Sequence, residues 1–503
     1  GFSGGLTGDN IGVEYASTLF AIAESPKEAG VIWAGTNDGI VQITRDGGKT
    51  WTNVTKNIPN MLPWGTVSNI EASRHHPGAA YITVDGHQVN NRDPWVYKTT
   101  DYGRTWRLIT DGIPHTMLSY AHCVREDPVR PGLLYLGTEG GLFVSYDDGT
   151  NWEPLQNNLP PAPVYWMVVQ ERFNDLAIAT YGRGFWILDD VTPLQQMTAD
   201  VRNSAAHLFK PRAAYRFRGT SIPYASSDDP TAGQNPPYGA SINYYLKAAP
   251  QSEPSIKIVD AEGKTVQTIR GTKNAGLNRV WWNLRTEQSK EVRLRTAPAY
   301  APEIKLNNEG WRPLLDGGGG RTTILVPPGT YTIKLSVDGK EFSQALTVLK
   351  DPNSAGTEAD IQKQIAMLWD LRKDVESAAD MVNQIESIRS QLEPILKRSE
   401  LAADGESLNQ KLIDIEEHLI QRKLTGQGQD SVRWPVKLIG KLVYLGNGVA
   451  SSDFPPTTQH RQVHDMFKIQ LATLRKQLDE VINTDLGLLN YRLSERSMGK
   501  IAP

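Results

Sequence analysis

At 503 residues the chain exceeds one ordinary core, and about two to four domains are expected. A formal net charge of -3 with 22% charged residues argues against a polyanion binder or a basic membrane-surface protein. No apolar run reaches the roughly eighteen residues of a membrane span, and the single cysteine, Cys123, excludes a disulfide framework or a cysteine-based zinc site.

The opening "GFSGGLTGDN" has no initiator Met, basic n-region or apolar h-region, and reads as an internal or processed beginning with sequence upstream. Residues 15–190 are strand-like throughout. Short β-rich runs such as "VIWAG", "IVQIT", "AAYITV", "LLYLG" and "LFVSY" are divided by Gly, Asp, Asn and Pro turns. The segment repeats: Ala23–Trp51 aligns with Arg125–Trp152, with Glu24 and Glu126 each eleven residues before Gly35 and Gly137. The turns "ITRDGGKTW", "TTDYGRTW" and "SYDDGTNW" place Asp46, Asp101 and Asp147 at intervals of 55 and 46 residues. A period near fifty with about four strands per unit means β-propeller blades rather than a sandwich. A shorter unit, Val164–Asp190, keeps the strands without the acid-glycine-tryptophan turn. Three full blades and a partial one do not close a ring. Upstream blades, from the same precursor or a second chain, are therefore an expected partner.

Between residues 191 and 350 the character changes. "SIKIVDAEGKTVQTI" reads as a hairpin about Ala261–Gly263 and "PPGTYTIKLSVDGKEFSQALTVL" as another about Asp338–Gly339. With the Pro/Gly-rich insertion that ends in Gly317–Gly320, this segment reads as an Ig-like β-sandwich with a long internal loop. From Thr357 the apolar period switches to about 3.6. Thr357 and Asp360 form a capping box, and Ile361, Ile365, Leu368, Val375, Val382, Ile385 and Leu392 mark one face. Further amphipathic runs cover 406–423, 431–446 and 458–484. The fold expected is mainly β with an α-helical C-terminal part: propeller blades over 1–195, the sandwich over 196–352 and a helical hairpin or bundle over 353–503. The bundle reading is intramolecular; the alternative is an oligomer through the C-terminal helices.

Every fixed position of the repeated turn has a physical reason. The acid accepts hydrogen bonds from the turn itself, the glycine supplies a positive φ, and the tryptophan wedges between sheets. A catalytic acid is not needed once per blade. Asp46, Gly48 and Trp51, Asp101, Gly103 and Trp106, and Asp147, Gly149 and Trp152 are therefore read as fold-holding.

These turns resemble the Asp-box of bacterial-neuraminidase-repeat (BNR) propellers, found in sialidases, sortilin-type receptors and xyloglucanase-type glycosidases. The whole chain resembles the C-terminal half of large secreted bacterial sortilin-like or "glycosyl hydrolase" repeat proteins. "GVIWAGTNDGIVQITRDGGKTWTNVTKNIP", "YKTTDYGRTW", "LLYLGTEGGLFVSYDDGTNWEPLQNNLP" and "FNDLAIATYGRGFWILDDVTPLQQ" carry that resemblance. "GLNRVWWNLRTE" and "PPGTYTIKLSVDGK" add the Ig-like module that follows the propeller in that family. It implies a secreted, periplasmic or cell-surface protein, and assigns no chemistry.

If the Asp-box joins third and fourth strands, the second-to-third strand turns and interblade links fall on the opposite face. That face collects "TNDG", "TEGG", "TYGRG" and the insertion "DGHQVNNRDPW". Its aromatic, His and Arg side chains suit a sugar or a peptide: Trp64, His87, Trp95, His115, Tyr120, Trp166, Tyr181 and Arg183. Trp166 and Tyr120 adjoin strand runs and are expected in interblade core. Trp64, His87, Trp95, Tyr181 and Arg183 are the ligand-binding candidates. A glycosidase needs two carboxylates across this face. Asp38, Asp85, Asp93 and Glu139 lie on suitable loops, with no spacing that pairs two of them. Arg183 with Tyr181 is only a fragment of a sialidase site.

No metal or cofactor is expected. His75 and His76 are a loop pair, and "HRQVH" (His460, His464) reads as a solvated helix face. The glycines at 317–320 lack the context of a phosphate loop, and Asp189 and Asp190 read as a blade-end cap rather than a calcium site. No basic stripe suggests nucleic acid. The function expected is an extracellular ligand- or protein-binding propeller, non-catalytic in this chain, with a protein or glycan ligand. The rival is a glycoside hydrolase, sialidase- or xyloglucanase-like, whose active site is shared with upstream blades. A third reading is a structural subunit of a cell-envelope assembly.

Overall fold

The computed structural model describes residues 18–218, 233–315, 319–397, 401–425 and 430–503. The opening "GFSGGLTGDN" and the glycines at 317 and 318 lie outside the described residues. The chain divides into two compact units. One comprises Gly1–Arg212, Asn243–Gln251 and Lys273–Arg279; the other comprises Ala213–Ile242, Ser252–Thr272 and Val280–Pro503.

Most of the first unit is four antiparallel sheets in chain order. Blade one is β1 (Leu19–Glu24), β2 (Ile32–Thr36), β3 (Val41–Thr44) and β4 (Thr52–Asn53). Blade two is β5 (Thr66–Ala72), β6 (Ala80–Asp85), β7 (Trp95–Thr99) and β8 (Arg107–Leu108). Blade three is β9 (Ala121–Glu126), β10 (Leu134–Thr138), β11 (Gly141–Ser145) and β12 (Glu153–Pro154). Blade four has three strands, β13 (Val164–Gln170), β14 (Asp175–Thr180) and β15 (Phe185–Leu188). The first strands pack in succession, β1 on β5, β5 on β9 and β9 on β13.

Alternation along the strands explains this stacking, because each sheet has one apolar face for each neighbour. Trp33, Val41 and Ile43 of blade one bury against Val67, Ile70 and Ala72 of blade two. Cys123, Tyr135, Leu142 and Val144 of blade three do the same against Val164, Met167 and Val169 of blade four. Each such large side chain contributes about 1.5–3 kcal/mol by leaving water.

The repeated turn joins third to fourth strand in blades one to three, and its bonds match position by position. In blade one the Thr44 hydroxyl donates to Asp46 Oδ1 at 2.8 Å and accepts from the Gly48 N–H at 3.0 Å. Asp46 also accepts the Thr50 N–H at 2.9 Å and its hydroxyl at 2.6 Å. Thr99, Asp101, Gly103 and Thr105 repeat the set, as do Ser145, Asp147, Gly149 and Asn151. The tryptophan points back to the preceding blade. Trp106 is buried beside Trp33, and Trp152 donates from Nε1 to Ile109 O at 2.8 Å. Trp51 departs from the expected wedge and is 42% exposed, since no described sheet precedes blade one to receive it. Trp166 also departs from the expected interblade core. Its ring is exposed, with the Arg125 guanidinium of blade three 4.1 Å from its centroid.

After blade four come α1 (Thr192–Gln196), α2 (Ala199–Asn203) and β16 (Ala206–Leu208). Asp190 is buried at φ 57° and accepts from the Thr192 hydroxyl at 2.5 Å and from Asn243 Nδ2 at 3.2 Å. The Arg279 guanidinium donates to the carbonyls of Asp189 and Asp190 at 2.8 and 2.9 Å.

The remaining strands are β17 (Ala214–Arg216), β18 (Ala240–Leu246), β19 (Ser255–Val259), β20 (Thr265–Arg270), β21 (Gly276–Trp282), β22 (Arg293–Leu294), β23 (Arg312–Pro313), β24 (Gly329–Val337) and β25 (Lys340–Lys350). In the second unit a five-stranded sheet runs β17-β25-β24-β19-β20, with β17 parallel to β25 and the other pairs antiparallel. Both hairpins lie where the turn residues place them.

Helices follow: α3 (Glu358–Leu396), α4 (Ala402–Leu419), α5 (Asp430–Arg433), α6 (Leu438–Val449), α7 (Thr458–Val481), a π segment at Ile482–Leu486, and α8 (Gly487–Glu495). The Thr357–Asp360 capping box is present. The expected run 431–446 is instead α5 and α6, interrupted at Pro435, which cannot donate within a helix. "HRQVH" is not a solvated face. His464 is buried and its Nε2 donates to Asp374 Oδ2 at 2.7 Å, while His460 caps the start of α7. A charged cluster lies in the helical core, in which Arg389 donates to Glu386 at 2.5 Å and to Glu416 at 2.7 Å.

Candidate functional site

Each first strand carries one irregularity against its second strand, between Leu19 and Ala21, Val67 and Asn69, Ala121 and Cys123, and Val164 and Trp166. The residues inside these bulges are Phe20, Ser68, His122 and Tyr165. A bulge re-aims one side chain out of the alternation. These four therefore hold one repeat position at the end of the innermost strands opposite the Asp-box turns.

The neighbouring turns are tied there by a repeated backbone bond. Asn37 N donates to Thr18 O at 3.0 Å, Glu139 N to Tyr120 O at 3.1 Å, and Tyr181 N to Pro163 O at 2.9 Å. The bond brings the turn residues Glu139 and Tyr181 beside the strands carrying His122 and Tyr165.

His122 is the centre of what results. Its ring is buried, with Nε2 donating to Glu139 Oε2 at 2.9 Å and Nδ1 3.9 Å from Asp85 Oδ2. Asp85 in turn accepts from the His87 backbone N–H at 2.9 Å and contacts His87 Nδ1 at 2.7 Å. The rings form a ladder across three blades. His87 stacks on Tyr120 at 5.2 Å between centroids, Tyr120 stands edge-on to His122 at 5.2 Å, His122 stacks on Tyr165 at 4.1 Å, and Tyr165 leans on Tyr181 at 5.7 Å. Partial burial, then the Glu139 charge and its hydrogen bond, push the Tyr120 phenol above its ordinary range. Burial, followed by Glu139 and Asp85, does the same to Tyr165. Both phenols therefore remain neutral donors at any physiological pH.

Of the residues expected on this face, the structure gathers Asp85, His87, Glu139, Tyr120 and Tyr181 into one constellation. Tyr120, expected in interblade core, is half-buried and belongs to the ladder. Asp38 is held within its own turn by the Thr36 hydroxyl. Trp64 is exposed at φ 61°. Trp95 is half-buried, stacked on Tyr97 at 6.3 Å, with its indole N–H donated to Asn91 at 2.9 Å. Arg183 is exposed and bonds its own turn at Gly182 O. His115 bonds Asp93 at 2.9 Å. Sequence reasoning passed over His122 and Tyr165. The repeat read from the sequence begins at Ala23 and Arg125, beyond the bulge, so it does not reach either residue.

The arrangement offers flat aromatic faces, neutral phenol donors and two carboxylates on one shelf. Among the described residues no group of three or more His, Cys, Asp or Glu side chains could hold a metal ion. No described helix is long and apolar enough to cross a membrane.

Four consecutive antiparallel sheets, stacked by their first strands, decide the architecture. These are β-propeller blades. No family model and no curated protein matches the chain. Among solved structures it is similar to YCF48 from Cyanidioschyzon merolae, with 17% identity over 34% of this chain and 53% of that one, at a TM-score of 0.26. The chain thus spans about half the length of that relative. It is also similar to a structure of YCF48 bound to D1 peptide, at 12% identity, 66% and 81% coverage and a TM-score of 0.25. A third is the GH74 xyloglucanase from Xanthomonas campestris, at 13% identity, 69% and 47% coverage and a TM-score of 0.28. At such scores the propeller assignment rests on the blades themselves.

Proposed function

We propose that the chain is an extracellular recognition module, an Asp-box propeller of the sortilin-like kind that binds a protein or glycan ligand on its His122 face. The carrying observation is the five-ring ladder from His87 to Tyr181, edged by Asp85 and Glu139. Aromatic faces take the apolar side of a sugar ring or peptide side chain, and the phenols and carboxylates fix its polar groups. In this reading residues 196–352 form an Ig-like spacer, residues 353–503 a helical docking element, and the protein is secreted, periplasmic or at the cell surface. Upstream blades, in the same precursor or a second chain, complete its ring.

The test is binding of the purified chain to an oligosaccharide array and a peptide library, followed by titration of the best ligand against Tyr165→Ala and Tyr181→Ala. The expected loss is about 5-fold or more per ring, since a stacked aromatic contributes about 1 kcal/mol. Undiminished affinity in both variants refutes the site.

One observation favours the hydrolase reading: Asp85 and Glu139 both lie within 3.9 Å of the His122 ring, so two carboxylates share one face, as a glycosidase needs. Turnover of any oligosaccharide that Asp85→Asn or Glu139→Gln abolishes would establish it. The envelope-subunit reading rests on uncovered blade surfaces around Trp51 and Phe185.

A further inference from the structure

The residue two positions before each bulge faces the same turn position of its own blade. Thr18 faces Asn37, Thr66 faces Asp85, Tyr120 faces Glu139 and Pro163 faces Tyr181. Blades two and three thus carry a carboxylate at one repeat position, and the His122 bulge sets an imidazole between the two. These carboxylates are largely shielded, with 12% of the Asp85 side chain and 22% of the Glu139 side chain exposed. Their described partners are the backbone and ring of His87 for Asp85, and the His122 ring and Tyr120 phenol for Glu139. A carboxylate accepts at roughly four sites, so two donors leave Glu139 room for more.

Elsewhere the first unit meets its carboxylates with fixed cations. Glu28, Glu71, Glu153 and Asp175 each have an arginine within 3.5 Å. The unit also lays its own cations over aromatic rings. Arg45 lies 3.8 Å from the Tyr102 centroid, Arg125 4.1 Å from that of Trp166 and Arg202 4.3 Å from that of Tyr146. On the His122 face both habits stop. Among the described residues no lysine or arginine pairs with Asp85 or Glu139, and none lies over Tyr120, Tyr165 or Tyr181. The two features act on the same space. After burial, the Glu139 charge is the next influence that raises both the Tyr120 and the Tyr165 phenols, and a field that holds those protons also attracts a cation. The rings are open to receive one, since Tyr165 and Tyr181 are 47% and 73% exposed.

We propose that the His122 face recognises a basic side chain, a lysine or an arginine, carried by a segment of a protein partner. This rests on the reading that the face binds a ligand, and narrows that ligand to one bearing a cation. The ammonium or guanidinium group takes the remaining acceptor sites of Glu139, while its methylene stem lies on the Tyr165 and Tyr181 rings. A protein segment fits better than a free amine because apolar side chains adjoin the site. Leu118 borders the Glu139 turn, where a Cβ on Gly140 would lie 3.2 Å from Leu118 Cβ. Leu118 and its neighbour Met117 are 52% and 65% exposed, and offer contacts to residues flanking the basic one.

The test is NMR titration of the purified chain with three probes: a blocked five-residue peptide with one central lysine, the same peptide with that lysine acetylated, and putrescine. The lysine peptide should bind about 10-fold or more tighter than its acetylated form, the combined effect of a cation–π contact and a charged hydrogen bond. It should also bind tighter than putrescine, and its advantage should shrink as salt is raised. Glu139→Gln keeps an acceptor for His122 Nε2 and should remove most of the preference, whereas Glu480→Gln on the exposed face of α7 should leave it intact. No binding, equal affinity for the two peptides, putrescine binding as tight, or a preference that survives Glu139→Gln would each overturn the proposal. The peptide comparison uses the unsubstituted chain and is independent of how any variant folds. The two readings fail separately. Equal peptide affinities beside a neutral ligand that needs Tyr165 and Tyr181 would remove the cation and keep the face. A lysine preference undiminished in both tyrosine variants would remove the face itself.

Discussion

Trp106 stands edge-on to Trp33 across the first blade junction, with ring centroids 5.8 Å apart and planes at 81°. The indole of one repeated turn thus closes the core of the blade before it. Trp106→Ala should destabilise the first unit by about 3–5 kcal/mol, as expected for a buried aromatic, while Trp51→Ala in the isolated chain should change stability by less than about 1 kcal/mol. Denaturant unfolding of both variants checks the contrast, and equal losses would remove the directional role given to the turn tryptophan.

The glycines of the turn should differ in the same way. Gly149 has φ 79°, and a Cβ there would lie 2.6 Å from Ile109 Cδ1 of the preceding blade. Gly47 also has a positive φ, but a Cβ there would meet nothing within 4 Å. Gly149→Ala should therefore cost about 1–3 kcal/mol more than Gly47→Ala, the overpacking excess above a shared backbone penalty. Paired thermal melts measure the difference.

Acid should loosen the turns late. The Thr50 hydroxyl, then its backbone N–H and the Thr44 hydroxyl, hold the Asp46 carboxyl down at about 2, below the ordinary 3.8. A depressed folded pKa means stabilisation that is complete above the unfolded value and lost as pH falls from 3.8 toward about 2. Carbon NMR of the Asp46 carboxyl should titrate in that low window, and Thr50→Val should raise its midpoint toward the ordinary value.

In the helices, Arg389 pairs with the buried Glu386 and Glu416, and Arg422 also reaches Glu416 at 3.1 Å. Burial, then the Glu386 charge, drives the Glu416 carboxyl well above its ordinary range, while Arg389 and hydrogen bonds outweigh burial to lower Glu386. Arg389→Met should destabilise the second unit by about 3–5 kcal/mol at neutral pH, because it leaves uncompensated buried charge. Raised folded pKa values add stability at low pH and remove it as pH rises, so the loss should shrink on acidification. Chemical denaturation at two pH values reads this.

The blades were legible because the acid, glycine and tryptophan of the turn recur with a spacing that only a repeated sheet explains. The capping box at Thr357 was equally plain, since both partners sit within one helical turn. His122 was not legible, because its role depends on a bulge that moves one residue out of the strand alternation. No local pattern marks a bulge in "YAHCVRE". Trp166 was misplaced for a related reason: apolar strand residues alternate between two faces, and the sequence does not say which face a neighbour fills. His464 looked solvated because its partner, Asp374, lies ninety residues away in sequence.

Phe20, Ser68, His122 and Tyr165 are four different side chains sharing one backbone position. The bulge takes that position out of the strand alternation, so its occupant meets neighbouring strands and turns instead of an apolar sheet face, as Ser68 does at Ala121 O and His122 at Glu139. In the proposed recognition reading, these four positions are where a single substitution would change the ligand without touching an Asp-box turn.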